Sequence, residues 1–165
     1  MKKPSNSNVK VLWALLCQNA SVDQQTNAVS LFNVIEELTL SPAPLNTAKK
    51  PSSTETMDFP AKTQVNTKYS LVVMTERESG MNRDSQVMMR LSITDPAGEK
   101  LFSHEFPAQF GFTDKVRARA IINFENMVVT KTGRYTYTIS TKSAGEKDFQ
   151  EQYSTSLVVK IQKPD

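Results

Sequence analysis

Around Ala120 the chain alternates strictly. Val116, Ala118, Ala120, Ile122 and Phe124 fall on one parity, and Lys115, Arg117, Arg119 and Glu125 on the other. A two-residue period is that of a strand with one face in a core and one in solvent. After a short apolar arch the alternation resumes, with Tyr135, Tyr137 and Ile139 inward and Arg134, Thr136, Thr138 and Ser140 outward. Gly133 stands at the corner, where glycine accepts backbone angles closed to other residues. Tyr135, just inside the following strand, is placed like the tyrosine of a sandwich corner, whose hydroxyl bonds back to the connection. The pattern predicts that the chain crosses here from one sheet to another.

Alternation and turn residues divide the rest of the chain. Val9–Gln18 reads as a first strand, apolar on both faces as a central strand is, and Asn19–Thr26 as a polar turn. Ala28–Ile35 is a second strand, which Glu36–Leu40 continues or leaves. Ser41–Thr56, SPAPLNTAKKPSSTET, has little to bury and is expected as a long mobile loop. Phe59-Pro60-Ala61 returns the chain to the body, Thr67–Glu76 is a third strand, and Glu78–Asp84 a surface connection. Gln86–Thr94 and Lys100–Phe106 form a hairpin about Asp95-Pro96-Ala97-Gly98, where proline presets one turn angle and glycine accepts a positive one. Pro107–Asp114 is a loop, and Lys115–Glu125 and Arg134–Thr141 are the next strands. After a turn at Ser143-Ala144-Gly145-Glu146, Phe149–Gln162 is the last, with Tyr153, Leu157, Val159 and Ile161 on one face.

Neither an amphipathic helix nor an internal repeat emerges. About eight strands at this spacing predict an all-β fold, an antiparallel β-sandwich with immunoglobulin-like or related Greek-key topology. The expected organisation is a flexible tail at 1–8 and one sandwich domain over 9–163, with the mobile loop at 41–56. A chain of 165 residues can bury such a core without disulfides or metals. Its single cysteine, Cys17, cannot form an internal bridge.

Composition narrows the partners. A formal charge of +3, from 20 basic and 17 acidic side chains, makes a mildly basic surface without a nucleic-acid footprint. No apolar run approaches the roughly 18 residues of a membrane helix. Met1-Lys2-Lys3 followed by Val11–Cys17 has the outline of a signal peptide. The apolar segment is short, however, and Leu16 is bulky where cleavage needs a small residue. A buried strand and a cytoplasmic location are the expectation.

The chemistry is sparse. His104 is the only histidine, and with Cys17 it falls short of a structural zinc set. A Cys17–His104 nucleophilic pair would need a third orienting group. Cys17 is expected as a small core hydrophobe, and His104 as an exposed strand residue turned to the face opposite Phe102 and Phe106. The glycines are isolated and turn-like, so no phosphate loop forms. Glu36-Glu37 and Glu76/Glu78 are adjacent acids rather than carboxylates facing across a cleft. Asp84, Asp95 and Asp114 each fit a turn. No catalytic residue, metal or cofactor is assigned.

Two features point to binding. Lys115, Arg117 and Arg119 share one strand face, which Arg134 could join, and three cations acting together suit phosphate or an acidic partner. Against this, Glu125 and Asp114 balance the face. The loop Phe106–Phe112, FPAQFGF, carries Phe110 and Phe112 without charge. It either caps the core or presents an apolar patch to a partner.

A family resemblance adds to this. Leu15-Leu16-Cys17-Gln18-Asn19-Ala20-Ser21-Val22-Asp23, followed by Ala28–Ile35, resembles the opening of a bacterial family of small uncharacterised proteins. There a strand ending in Cys/Ala-Asp-x-Ala-x-x-Asp precedes a turn and a Leu-Asn-x-x-Gly-Val-Phe-Asp-x-Ile strand. Leu91–Gly98 is similar to its Asp-Pro-Asp-Gly turn, and Phe124–Tyr137 to its Phe…Gly-x-Tyr segment. The chain departs at Gln25-Thr26-Asn27, where a Gly-Lys turn is usual, and at Ser30 or Leu31, near its second glycine. The resemblance implies a cytoplasmic bacterial β-sandwich and no activity.

These readings converge on a non-enzymatic interaction domain whose partner is a protein. The candidate contacts are Lys115, Arg117, Arg119, Phe110 and Phe112. A polyanion-associated domain using the basic stripe is the first alternative, and a hydrolase with scattered carboxylates the second. Convergent acids would favour the latter, and steep salt dependence the former.

Overall fold

The computed structural model describes residues 9–23, 25–26, 28–41, 58–77, 87–110 and 116–162. The expected tail at 1–8 and residues 42–56 of the expected loop lie outside the described residues. Among those described, all regular structure is strand: β1 (Val9–Val22), β2 (Val29–Val34), β3 (Glu37–Leu40), β4 (Asp58–Arg77), β5 (Val87–Thr94), β6 (Lys100–Pro107), β7 (Arg117–Lys131), β8 (Gly133–Ser143) and β9 (Gln150–Ile161). They form a four-stranded sheet in the order β2-β1-β4-β7 and a five-stranded sheet in the order β3-β9-β8-β5-β6. The molecule is a β-sandwich, antiparallel apart from one pair.

That pair is β3 and β9, which run parallel. The switch between sheets is sharp. Ile35 N donates to Leu16 O at 2.8 Å, and the next residue's carbonyl, Glu36 O, accepts from Val158 N at 2.9 Å. Glu36–Leu40 therefore leaves the second strand rather than continuing it, which makes nine strands among the described residues where about eight were expected. β1 lies between β2 and β4, as its unbroken apolar run predicts, and Val9, Val11, Ala14, Leu16 and Cys17 are buried. Fully burying one such aliphatic side chain contributes roughly 1.5–3 kcal/mol.

The corner is tighter than the apolar arch expected from the sequence. β7 stays paired with β4 as far as Lys131, and Met127 and Val129, shifted by one position from the parity of Ile122 and Phe124 beside an irregularity in β4, continue its buried row. The chain then crosses to the five-stranded sheet at Thr132 and starts β8 at Gly133, whose φ is 131°. The Tyr135 hydroxyl donates to Lys131 O at 2.7 Å and accepts from Thr130 N at 2.9 Å, which is the expected back-bond. Asp95, buried in the β5–β6 turn, joins the corner. Its Oδ2 accepts from Thr130 Oγ1 at 2.8 Å, and its Oδ1 from Ala97 N at 2.9 Å and Glu99 N at 2.8 Å. Turn and corner thus fold as one unit, and Tyr135, Tyr137 and Ile139 point into the core as predicted.

Candidate functional site

The two sheets differ by one strand, and the difference falls on one side. β1 packs beside β9, and β4 meets β8 where the Tyr69 and Tyr137 hydroxyls lie 3.0 Å apart. Counted outward from there, β7 is the last strand of its sheet while β6 lies one strand further out, so β7 meets β6 only along its inner edge, and no other strand covers β6 among the described residues. The inward parity of β6 is Phe102, His104 and Phe106, set by pairing with the buried Ile93, Leu91 and Met89. His104 therefore shares the face of the two phenylalanines, contrary to expectation. The three rings form a ladder with centroids 6.3 and 6.2 Å apart. Phe102 remains 38% exposed, and His104 is exposed too.

Opposite this ladder, β7 offers its own inward row, Ala118, Ala120, Ile122 and Phe124, all half-buried. Val116, expected in this row, precedes the strand and is 48% exposed. Between the two edges opens a cavity of about 520 Å³, lined by Met89, His104, Phe106, Ala108, Ala118, Ala120 and Ile122, among others. The alanines make the space, since larger side chains there would close the mouth. Further along β7, Phe124 packs against Phe102, with ring centroids 6.1 Å apart.

The backbone phase of both edges follows from single hydrogen bonds. Arg77 N donates to Val116 O at 2.9 Å. Residues of an antiparallel strand alternate between bonding to the neighbour and facing away. Hence Ala118, Ala120 and Ile122 bond with β4, while Arg117, Ile121 and Asn123 turn their N–H and C=O toward the open side. On β6, Ala108 N bonds to Val87 O at 2.8 Å, so Ser103, Glu105 and Pro107 face outward. Pro107 has no N–H to offer, and a charged side chain at Glu105 discourages pairing. β6 is a guarded edge, whereas β7 is the better template.

The expected basic stripe takes a different form. Lys115 lies outside the described residues. Arg117 Nε donates to Glu76 Oε1 at 2.9 Å, Arg119 is half-buried and in contact with neighbours, and Glu125 pairs with Lys68 at 3.2 Å. Arg134 does not join them: it belongs to the other sheet and donates to Ser156 Oγ at 2.9 Å. The outer face of β7 thus runs from positive at Arg117 to negative at Glu125.

The aromatic loop divides similarly. Phe106 and Ala108 pack against the core, and Phe110 lies under the Arg77 guanidinium at 5.9 Å. Phe112 lies outside the described residues.

The remaining chemical candidates stay apart. Cys17 is buried in β1 with its Sγ donating to Ser70 O at 3.8 Å, and burial pushes its thiol up. His104 belongs to the opposite sheet. Glu37 is held by Lys160 at 2.7 Å and Glu76 by Arg117, so neither faces another carboxylate across a cleft. Asp84 and Asp114 lie outside the described residues. A second cavity of about 450 Å³, beside Leu16, Ile35, Glu36, Glu37 and Arg134, sits where the chain changes sheets, and two of its three charged groups are the Lys160-bound Glu37 and the Ser156-bound Arg134 just described.

No family model matches the chain, and no curated protein does. A solved structure of the CooA pilin subunit from enterotoxigenic Escherichia coli shares 11% identity, covers 95% of the chain and 100% of its own length, and has a TM-score of 0.35. At that level neither fold nor function transfers. The motifs behind the family resemblance have local structural causes. Asp23 Oδ1 accepts from Thr26 N at 2.7 Å and Gln25 N at 2.8 Å, and these bonds, that of Thr26 first, hold its carboxyl below the usual range. Asp95 and Tyr135 are the turn and corner residues.

Proposed function

We propose that the protein is a non-enzymatic interaction domain that takes an extended segment of a partner protein along the edge of β7 that no strand pairs with among the described residues, above β6. One observation carries this reading: the 520 Å³ cavity, where Met89, Phe106, Ala118, Ala120 and Ile122 share the walls with Thr75, Gln109 and Arg119, is bounded along one side by backbone that offers a ladder of hydrogen bonds. A small apolar ligand would fill the cavity and leave that ladder unused. A strand uses both, with main-chain bonds for affinity and alternate side chains in the space for specificity. The added strand would also cover the Phe102–His104–Phe106 ladder.

The test is selection from a displayed library of random extended peptides, followed by amide hydrogen exchange of the protein with each selected peptide. Slowed exchange at Ile121 and Asn123 is expected, with binding lost in Ile121→Pro, whose missing N–H is one that β4 does not use. Ala120→Leu, which fills the cavity, serves as a second block that leaves the edge intact. Selected peptides that bind both variants like the parent, or leave those amides unchanged, refute the reading.

A further inference from the structure

Resting on that reading, we infer that the accommodated segment is an amphipathic strand of fixed polarity, antiparallel to β7. It carries bulky aliphatic and acidic side chains at its C-terminal half, and small and basic ones at its N-terminal half. Two independent gradients along β7 specify this. On the inward face the row grows from Ala118 and Ala120 through Ile122 to Phe124, so the space falls from about 520 Å³ at the Ala118 end to about 90 Å³ at the Phe124 end. On the outward face the charge runs from Arg117 and Arg119, past Ile121 and Asn123, to Glu125.

Residues directly opposite in a sheet share a face and interact pairwise, favourably when sizes complement or charges oppose. The inward gradient asks for large apolar groups beside the alanines and a small one beside Phe124. The outward gradient asks for carboxylates beside the arginines and a cation beside Glu125. The existing sheet continues this logic, since Glu76 flanks Arg117 and Lys68 flanks Glu125. An added carboxylate at Arg117 and an added cation at Glu125 would make rows in which the sign alternates from strand to strand. The antiparallel direction follows from the slightly greater stability of that pairing, which all of the four-stranded sheet adopts. It places the partner's C-terminal half beside Arg117.

The probe is the capped peptide Lys-Ala-Thr-Val-Thr-Leu-Glu-Leu-Glu, compared with its charge-exchanged form Glu-Ala-Thr-Val-Thr-Leu-Lys-Leu-Lys and with the reversed sequence. Each is titrated into the protein by calorimetry, with hydrogen exchange at Ile121 and Asn123 reporting the place of binding. The first peptide is expected to bind best, the exchanged form about fivefold more weakly for each charge pair reversed, and the reversed sequence more weakly still. Arg119→Glu should shift the preference toward the exchanged peptide. Glu125→Lys, at a more exposed position, should do the same from the other end and guards against a folding defect in the first variant. Equal binding of all three peptides, with the same amides slowed, overturns the polarity while the β7 edge stands as a binding surface. If none of the peptides slows those amides, this inference falls, and the interaction reading falls with it if selected peptides also fail. Concentration-dependent protection of Ile121 without any peptide identifies a second copy of the chain as the occupant and overturns the assignment.

Discussion

Tyr69 and Tyr137, 68 positions apart, meet hydroxyl to hydroxyl at 3.0 Å across the two sheets. Their rings stand edge to face at 6.4 Å, and Phe124 stacks on Tyr69 at 4.7 Å. Burial pushes both phenols up, Tyr137 further because Tyr69 adjoins it. A group whose folded pKa lies above its unfolded value of about 10 contributes stability that is complete below that pH and lost above it. Alkaline titration followed by tyrosinate absorbance should therefore show these two phenols ionising only as the chain unfolds. Tyr137→Ala should cost roughly 3–5 kcal/mol in denaturant unfolding; a variant that melts like the parent would falsify the inward placement of β8.

The corner makes an acid-side prediction. Burial by itself raises the Asp95 pKa, but the bonds from Thr130, Glu99 and Ala97 and the nearby Lys131 charge outweigh it and leave the carboxyl below its usual value. Stability from such a group is present above about pH 4 and lost as pH falls through the lower folded pKa. Thermal melts of the parent and Asp95→Asn should thus differ at neutral pH and converge in acid. Tyr135→Phe, which removes the back-bond to Lys131, should cost about 1–2 kcal/mol at either pH.

Gly133 and Pro96 set a second constraint on the same corner. A Cβ at Gly133 would lie 3.0 Å from Cβ and Cγ of Pro96, at a φ of 131° that other residues rarely adopt. Gly133→Ala is expected to destabilise by about 1–3 kcal/mol, and Pro96→Ala in the same chain to recover part of the loss by giving room. A double mutant no more stable than Gly133→Ala alone would show that the Pro96 ring carbon Cγ adds nothing to the cost, which then lies in the backbone angle and the Cβ that alanine at 96 keeps.

Ala120 is the position to fill. Leucine there grows into the cavity beside His104 and Phe106 rather than into packed core. Ala120→Leu should hold or raise stability by about 0.5–1 kcal/mol, as cavity-filling changes commonly do. A loss of more than about 2 kcal/mol, the range of overpacked cores, would mean that the space closes in solution.

The local features of this fold are written in short stretches of sequence. Alternation places the inward rows of β5, β7, β8 and β9, Asp95–Gly98 makes a turn, and Gly133 with Tyr135 makes a corner, because each depends on residues within a few positions of one another. The parity that sets His104 beside Phe102 and Phe106 is equally local, since positions 102, 104 and 106 share one side of a strand. Tertiary structure decided the rest. Nothing local in Glu36–Leu40 says that it will lie parallel to β9, a pairing that bonds Glu36 to Val158. The continuation of β7 to Lys131 depends on β4 reaching back to Asp58 to pair with it. The candidate site depends on both kinds of information. Side-chain alternation fixed which residues of β7 and β6 look inward. Only the order of strands, set by backbone hydrogen bonds between distant segments, placed β6 and β7 at the edges of their sheets among the described residues.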